Sequence, residues 1–241
     1  MSTTSTISRE IADTLRTEIL RQQYRCGERL PSERDLAARY NASRGAVREA
    51  LSQLEQNGLI SIHPGGARVQ PIESASIAIL GPLMNLSALP DPELVSQFLR
   101  TFAALATDNA KEAVEKANAE QLIRMKSLLV LLNQHAGDVE TMQPHWINML
   151  EYMATIADNL VVRLIGNDLK AQFVDQMMNL GLKPQLNKKN LNQVLNNLKQ
   201  SLAKRDSELA GSAVQMYFNE LRISIVADIK SRLANLQKRA G

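Results

Sequence analysis

The chain has 241 residues, of which 44% are apolar and 22% charged, and a formal net charge of +3 at pH 7; this composition is typical of a globular protein with two domains of ordinary size. Its single cysteine, Cys26, excludes an intramolecular disulfide framework and a cysteine-based metal site. The longest apolar runs, such as 77–80 and 128–132, are too short to cross a bilayer, and the first ten residues contain no apolar signal core, so we expect a cytoplasmic protein with no membrane partner.

The basic residues differ in type along the chain. Residues 1–70 contain ten arginines and no lysine, against eight acids, whereas residues 71–241 carry 18 bases, including every lysine, and 17 acids. The planar guanidinium suits phosphate and guanine edges better than an ammonium does, so this bias favours a nucleic-acid partner for the first part of the chain. A codon or lineage bias would produce the same pattern.

The first 58 residues predict three helices. A first helix is expected from about residue 6 or 7 to residue 22, because apolar residues recur there at helical spacing, namely Ile7, Ile11, Leu15 and Ile19. Ser32 is placed to cap a second helix and Ser43 to cap a third, with a tight turn between them. Asn57-Gly58 predicts a left-handed end to the third helix.

The next twelve residues, "LISIHPGGARVQ", predict two short strands joined by a Pro-Gly-Gly turn. A helix, a tight turn, a second helix and a β-hairpin together make a winged helix-turn-helix. In that arrangement the second helix of the turn enters the DNA major groove with its N-terminus first.

The first turn of the third helix carries the residues suited to reading DNA. Arg44 and Arg48 are four residues apart and share a helix face, so one can reach a guanine edge while the other reaches a phosphate or the next base. Gly45 and Ala46 add little bulk between them, and Arg34 in the preceding helix is placed for the flanking phosphates or bases. The exposed amides of this turn can also bind a phosphate. The predicted contacts of the two helices are Arg34, Ser43, Arg44, Gly45 and Arg48.

The turn between the strands predicts a thin, weakly cationic wing. Gly65 and Gly66 allow a sharp turn and a close approach of the backbone, while His63 and Arg68 flank the tip. Such a projection is suited to the narrow minor groove. Taken singly, these side chains are equally compatible with an ordinary solvated surface, and their order and spacing favour DNA binding.

The rest of the chain predicts helices only. Residues 72–76 are expected to link a DNA-binding domain, 1–71, to a second domain, 77–241. Amphipathic helical segments fill the second domain, with breaks predicted at Asn118, 137–138, 181–184 and Asp206; the segments are 92–117, 119–136, 143–180, 187–206 and 207–240. The predicted fold class is therefore mainly α, a winged helix-turn-helix with a small β-wing followed by an all-α antiparallel bundle.

Residues 27–69, "GERLPSERDLAARYNASRGAVREALSQLEQNGLISIHPGGARV", resemble the N-terminal DNA-binding domain of the GntR family of bacterial transcription factors. The likeness extends over residues 7–71 and implies operator contacts at Arg34, Arg44 and Arg48. It also implies that His63 or the adjoining glycines enter the minor groove near the dyad. Pro64 stands at the wing tip where many members of the family carry another residue.

The helical half is similar to the ligand-sensing and dimerising domain of the FadR subfamily, in its length, its helical content and three short segments. These segments are "LRTFAALATDNA", "ADNLVVRLI" and "LAKRDSELAGSAV". The likeness implies a homodimer on a palindromic operator and a small-molecule effector in the helical domain.

Most domains of that subfamily hold a divalent metal with one Asp and three His, and the resemblance places these four positions at Trp146, Leu150, Leu195 and Tyr217. None of the four replacements is expected to bind a metal. The chain's histidines are His63 in the wing and the pair His135 and His145, which lie ten residues apart across a predicted loop. We therefore expect no metal and no other cofactor.

The apolar and aromatic replacements leave three interpretations of the helical domain. In the first, they line a pocket for an apolar, acyl-type effector without metal, and Arg100 meets an acidic headgroup. Five methionines would complete that pocket, namely Met149, Met153, Met177, Met178 and Met216. In the second, the cavity is filled and the domain only dimerises; in the third, the domain holds a small polar acid without metal.

The expected function is a DNA-binding transcription regulator, as a repressor, whose DNA affinity an effector controls. The sequence shows no glycine-rich phosphate loop, nucleophile elbow or HExxH motif, so an enzyme is not expected. The alternative is a dimerising adaptor without an effector, whose winged helix binds protein. An adaptor of that kind would lack strongly salt-dependent DNA affinity.

Overall fold

A computed structural model describes residues 3–136, 138–179, 181–182 and 184–240. The chain forms two compact units, Met1–Ala88 and Leu89–Gly241, called here the N-terminal and the C-terminal unit. Helices dominate both, and one two-stranded antiparallel sheet lies in the N-terminal unit, which confirms the predicted fold class. Among the described residues, no helix combines the length and the apolar character that crossing a membrane requires.

The N-terminal unit contains four helices and a hairpin in its described part. In chain order these are α1 (Thr3–Leu20), α2 (Glu33–Arg39), α3 (Arg44–Gln56), β1 (Ile60–His63), β2 (Gly66–Val69) and α4 (Leu80–Met84). The apolar faces of α1 and α3 pack together and share one core with Leu36 of α2. The predicted stripe of α1 is wrong at Ile7, which is 40% exposed; Ser8 is buried instead, because the inward face passes through Ser8 and Ile11.

The ends of α2 and α3 follow the predicted capping residues. The side chains of Ser32 and Ser43 each accept a hydrogen bond from the backbone amide three residues later, at 3.2 Å in both cases. Gly58 closes α3 with φ of +73°, and the amides of Gly58 and Leu59 donate to the carbonyls of Glu55 and Leu54, the Schellman arrangement. A Cβ on Gly58 would lie 2.6 Å from the carbonyl oxygen of Ser74, so a side chain is excluded there.

The hairpin has the predicted form, with Pro64 and Gly65 as its two-residue loop. His63 pairs with Gly66 at its closed end and Ile60 with Val69 at its open end. Residues 27–30 run beside β2, because Leu30 donates to the carbonyl of Ala67 and Arg29 forms a β-bridge with Arg68. The wing is therefore supported on its outer strand by the segment that precedes α2.

The boundary between the two units lies later than the predicted linker. Residues 72–76 contain a short 3₁₀ turn, Ile72–Ser74, and the amide of Ser76 donates to the carbonyl of Asn57. Residues 77–88 were expected to open the second domain. The structure groups them with the N-terminal unit, because Ile79 is 5% exposed within that unit's core.

The C-terminal unit is built from six helices in its described part. They are α5 (Pro92–Lys116), α6 (Ala119–Gln134), α7 (Val139–Ala157), α8 (Leu160–Asn179), α9 (Lys188–Lys204) and α10 (Ser207–Ala240). Helix α5 lies in the centre and packs against α7 and α10, while α9 packs against α6 and α10.

The single helical segment expected over residues 143–180 is wrong, because the chain breaks at Asp158. This residue ends α7 in the left-handed conformation, with φ of +53°. The side chain of Asn159 then accepts a hydrogen bond from the amide of Val162 at 3.2 Å. An aspartate and an asparagine in succession supplied a C-cap and an N-cap, which the apolar periodicity alone did not reveal.

Candidate nucleic-acid interface

The first turn of α3 has one polar, exposed face and one buried face. Ser43, Arg44, Gly45 and Arg48 are all exposed, whereas Ala46 is only 2% exposed and belongs to the core side of the helix. Gly45 has no atom closer to a built Cβ than the hydroxyl of Ser43 at 3.7 Å, so its surface is open to an approaching molecule.

Arg48 is held by an acidic residue of the neighbouring helix. Its Nε donates to Oε2 of Glu33 at 2.8 Å, while 69% of its side chain stays exposed. Glu33 engages Nε alone among the five N–H donors of the guanidinium, so the terminal nitrogens are available for a base edge or a phosphate. This pair could not be predicted from helical spacing, because the two residues are fifteen apart and lie on different helices.

Arg34 and Arg44 are exposed, and neither forms a salt bridge in the part of the chain that the structure describes. An exposed guanidinium without a carboxylate keeps its full positive charge for a polyanion. Arg34 follows Glu33 at the start of α2, and Arg44 opens α3 directly after its cap. The two predicted residues thus lie at the N-termini of the two helices of the turn.

The tip of the wing is exposed at His63, Pro64 and Gly65. The Nε2 atom of His63 lies 3.0 Å from the hydroxyl of Ser61 on the same strand. Gly66 has φ of +108°, a backbone conformation that favours glycine. The three residues therefore project from a hairpin whose closing position requires a glycine.

Arg29 is a basic residue of the wing that sequence analysis missed. Its guanidinium covers Gly66 so closely that a Cβ there would lie 2.7 Å from Nε. Its strand neighbour Arg68 donates from Nη1 to the carbonyl of Gly27 at 3.0 Å and is exposed. Arg29 is exposed as well. The β-bridge between them places two arginines side by side on one edge of the wing, where the sequence indicated one.

The C-terminal unit contains a cavity of about 180 Å³ between α5, α7 and α10. Its wall is mostly aromatic and aliphatic and includes Phe98, Phe102, Trp146, Leu150, Tyr217 and Phe218. Three of the five residues predicted for an effector pocket are thus brought together, namely Trp146, Leu150 and Tyr217. The rings of Trp146 and Tyr217 lie 4.0 Å apart between centroids.

Arg100 and Leu195 do not line this cavity. Arg100 is on the outer face of α5, 61% exposed, and its Nη2 lies 3.5 Å from the carboxylate of Glu93. Leu195 is buried on α9 and borders a separate groove with Lys126 and Val130 of α6. Both were placed by sequence likeness alone, which did not define which helix face each would occupy.

The methionines predicted to line the pocket have other positions. Met149 and Met153 are fully buried on the core side of α7, and Met216 is half-buried against the same core. The side chains of Met177 and Met178 lie outside the described residues. Aromatic and aliphatic residues rather than methionines therefore form most of the described wall.

Among the described residues, the charged groups of the cavity wall are one pair. Lys170 of α8 forms a salt bridge with Glu151 of α7, and both line the cavity, as does Gln143. Burial raises the pKa of the Tyr217 phenol above its usual value of 10.0, so this side chain is neutral at physiological pH. The indole N–H of Trp146 is buried and has no hydrogen-bond partner within the described part of the chain.

His135 and His145 are closer than their sequence spacing indicated. Their rings lie 4.4 Å apart between centroids, where the end of α6 meets α7. Among the residues that the structure describes, no group of three or more His, Cys, Asp or Glu side chains is placed to hold a metal ion.

Comparison with known proteins finds a family model that matches the N-terminal segment. Residues 7–69 match the model of the family described as "Bacterial regulatory proteins, gntR family". The chain is 31% identical over 134 residues to the HTH-type transcriptional repressor NanR of Cronobacter sakazakii, an alignment that covers 55% of this chain and 51% of that protein. The repressor of the same name from Citrobacter rodentium is 27% identical over 161 residues, which cover 66% of this chain and 62% of that protein.

The first of these alignments thus spans about half the length of the relative. A solved structure described as "Lar controls the expression of the Listeria monocytogenes agr system and mediates virulence" covers 90% of this chain and 95% of its own, with a TM-score of 0.52 and 18% identity. At that identity the likeness concerns the fold.

Proposed function

We propose that this chain, whose residues 7–69 match the gntR family model, is a DNA-binding transcription repressor. In this proposal a homodimer binds a palindromic operator, and a small molecule held in the C-terminal unit controls the affinity for DNA. The observation that carries the proposal is the capped N-terminus of α3, which exposes Arg44 and Arg48 on one face.

Two kinds of contact are expected from this surface. Arg44 carries no carboxylate partner in the described part of the chain, and it lies in the first turn, where a recognition helix meets base edges. A bidentate contact between an arginine and a guanine contributes about 1–3 kcal/mol of discrimination. Arg34, at the start of α2, and the edge formed by Arg29 and Arg68 are suited to phosphates, which position the protein without reading sequence.

A second copy and an effector belong to the proposal for different reasons. Two α3 helices related by a twofold axis would read the two halves of a palindrome about one helical turn apart. The cavity of the C-terminal unit provides a place for an effector, and a coupling of about 1–3 kcal/mol between two sites is enough for induction. The relatives named as repressors support the sign of the regulation.

DNA selection from a pool of randomised duplexes, followed by binding measurements on the selected sequence and a scrambled one, tests the proposal. We expect a palindromic consensus, a mass corresponding to two chains per duplex, and a steep loss of affinity with salt. Arg44→Ala should weaken binding to the selected sequence by roughly 5- to 100-fold, the equivalent of about 1–3 kcal/mol, and binding to the scrambled one far less.

The matched control is Arg124→Ala, which removes an exposed arginine from α6 of the C-terminal unit and should leave both affinities unchanged. Equal losses on both duplexes with Arg44→Ala would assign Arg44 to a phosphate instead of a base. Absence of salt-dependent DNA binding by the unaltered chain would favour the adaptor interpretation over the repressor.

A further inference from the structure

The cavity of the C-terminal unit has a size that restricts its ligand. Its volume is about 180 Å³, below the roughly 300–1,000 Å³ of pockets that hold drug-sized molecules. An apolar protein cavity of about 150 Å³ holds a single benzene molecule. The cavity therefore encloses one ring with a small substituent, and a long acyl chain would have to extend out of it.

The wall of the cavity favours an aromatic ligand. Phe98, Phe102 and Phe218 surround the same space as Trp146 and Tyr217, whose rings are tilted by 42° to one another. Aromatic rings attract one another edge to face or offset, beyond the gain from burying their area. A planar ring is thus the shape and the chemistry that this wall complements.

The charges of the wall disfavour an anion. Lys170 is the only cationic side chain that lines the cavity in the described part of the chain, and Glu151 already neutralises it. Arg100, the residue predicted to meet an acidic headgroup, lies elsewhere and pairs with Glu93. A carboxylate entering an apolar cavity without an unpaired cation would lose its hydration with little compensation.

A neutral polar group on the ligand has partners in this wall. The side-chain amide of Gln143 lines the cavity, as does the salt bridge of Lys170 and Glu151. A carbonyl, amide or hydroxyl group satisfies such groups without bringing in a net charge.

We infer that the cavity binds an uncharged, single-ring aromatic compound bearing one small polar substituent. The inference deepens the proposed function, on which it rests for the regulatory meaning of binding, by naming the class of the effector. This class differs from the acyl-type and acidic effectors expected from sequence. The cavity is too small to enclose a long acyl chain, and its described wall has no unpaired cation for an acid.

The chain itself provides the probe for a binding experiment. Trp146 is its only tryptophan and lines the cavity, so a change in tryptophan fluorescence of the full chain reports on this site. Benzamide and benzoate are matched in shape and differ in charge, and palmitate tests chain length. We expect a saturable spectral shift with benzamide, at least tenfold weaker binding of benzoate, and no saturable binding of palmitate.

Two leucine variants locate the binding. Leu150→Phe enlarges a wall residue and should abolish the benzamide shift, whereas Leu160→Phe, the same change at a position of α8 that is 67% exposed, should preserve it. Ile147→Phe replaces the first variant if that protein does not fold, since Ile147 belongs to the same wall. Tighter binding of benzoate than of benzamide, saturable binding of palmitate, or no response to benzamide would each overturn the inference.

DNA binding measured on the same samples separates the two proposals. A chain that binds the selected palindrome but not benzamide would keep the DNA-binding part of the proposed function and lose this ligand class. A chain that binds benzamide at the cavity but not DNA would keep the ligand class and lose the regulator. A fall or rise of DNA affinity at saturating benzamide supports both.

Discussion

Arg48 and Glu33 join the two helices of the helix-turn-helix on their exposed side, with Nε of the arginine 2.8 Å from Oε2 of the glutamate. A salt bridge at this degree of exposure contributes only about 0–1 kcal/mol to folding. The salt bridge instead holds the long side chain of Arg48 in one direction. A side chain that is already oriented loses less conformational entropy when it binds DNA.

Glu33→Gln should therefore affect DNA recognition more than stability. We expect the free energy of unfolding to change by less than about 1 kcal/mol. The ratio of specific to non-specific DNA affinity should fall by roughly fivefold, or about 1 kcal/mol, because Arg48 is no longer held. Competition binding with the selected and the scrambled duplex measures this ratio.

Glu49→Gln is the control for charge alone. Glu49 is exposed on α3 next to Arg48, so the change removes one negative charge from the same surface and leaves the contact with Glu33 intact. This variant should raise both affinities together and preserve their ratio. If the two glutamine variants behaved alike, Glu33 would act through its charge and not through the orientation of Arg48.

The wing depends on Gly66 at its closing position, and Gly66→Ala tests this dependence. With φ of +108°, an alanine should cost about 1–2 kcal/mol of folding free energy through the backbone alone. Its Cβ would also displace the guanidinium of Arg29, which lies within 2.7 Å of that position, so DNA affinity should fall too. Urea dependence of hydrogen exchange in peptides from the N-terminal unit measures the stability.

Gly65→Ala serves as its neighbour and control. A Cβ at Gly65 meets no atom within 4 Å, so stability should change by less than about 0.5 kcal/mol. A DNA affinity reduced by Gly65→Ala at unchanged stability would show that the tip itself approaches DNA closely. Equal destabilisation by both variants would contradict the role given to the backbone of Gly66.

The sequence predicted the local features of the N-terminal unit well, because each depends on near neighbours. The caps Ser32 and Ser43 and the end of α3 at Gly58 are set by hydrogen bonds within one turn. Contacts between distant segments were missed, such as those of Glu33 with Arg48 and of Arg29 with Gly66. No periodicity encodes which exposed side chains meet across a turn or a strand.

In the C-terminal unit the sequence predicted helices but not the arrangement of their faces. Trp146, Leu150 and Tyr217 meet at one cavity, while Leu195 borders a separate groove between α6 and α9. All four are apolar, and an apolar residue on an amphipathic helix fits the core wherever the helix docks. The pairing of helices, which decides which residues face each other, results from packing of the whole unit.

Ser43→Ala should weaken the first turn of α3. Removing the hydroxyl that accepts from the amide of Ala46 at 3.2 Å should cost about 1 kcal/mol of stability and loosen the backbone that positions Arg44. Ser52→Ala changes an exposed serine in the interior of the same helix, where alanine is the better helix former, and should not destabilise it. Hydrogen exchange at the start of α3 should rise in the first variant only; a rise in both would contradict the capping role.

The buried phenol of Tyr217 makes the stability of the C-terminal unit depend on pH in the alkaline range. Its pKa is raised by burial above 10.0, the value expected in the unfolded chain. Above that pH the unfolded chain loses the phenolic proton while the folded chain keeps it. The free energy of unfolding should therefore be unaffected by this group below pH 10.0 and decrease above it, by up to about 1.4 kcal/mol per pH unit.

Tyr217→Phe should remove this part of the alkaline destabilisation, and Tyr152→Phe, a change at a half-buried tyrosine of α7, should retain it. Urea unfolding followed by the fluorescence of Trp146, the only tryptophan of the chain, reports on the C-terminal unit at each pH. If the Tyr217 variant kept the full alkaline decrease, the phenol would ionise in the folded unit. The wall of the cavity would then be open to water at that point, which would also contradict an apolar ligand site.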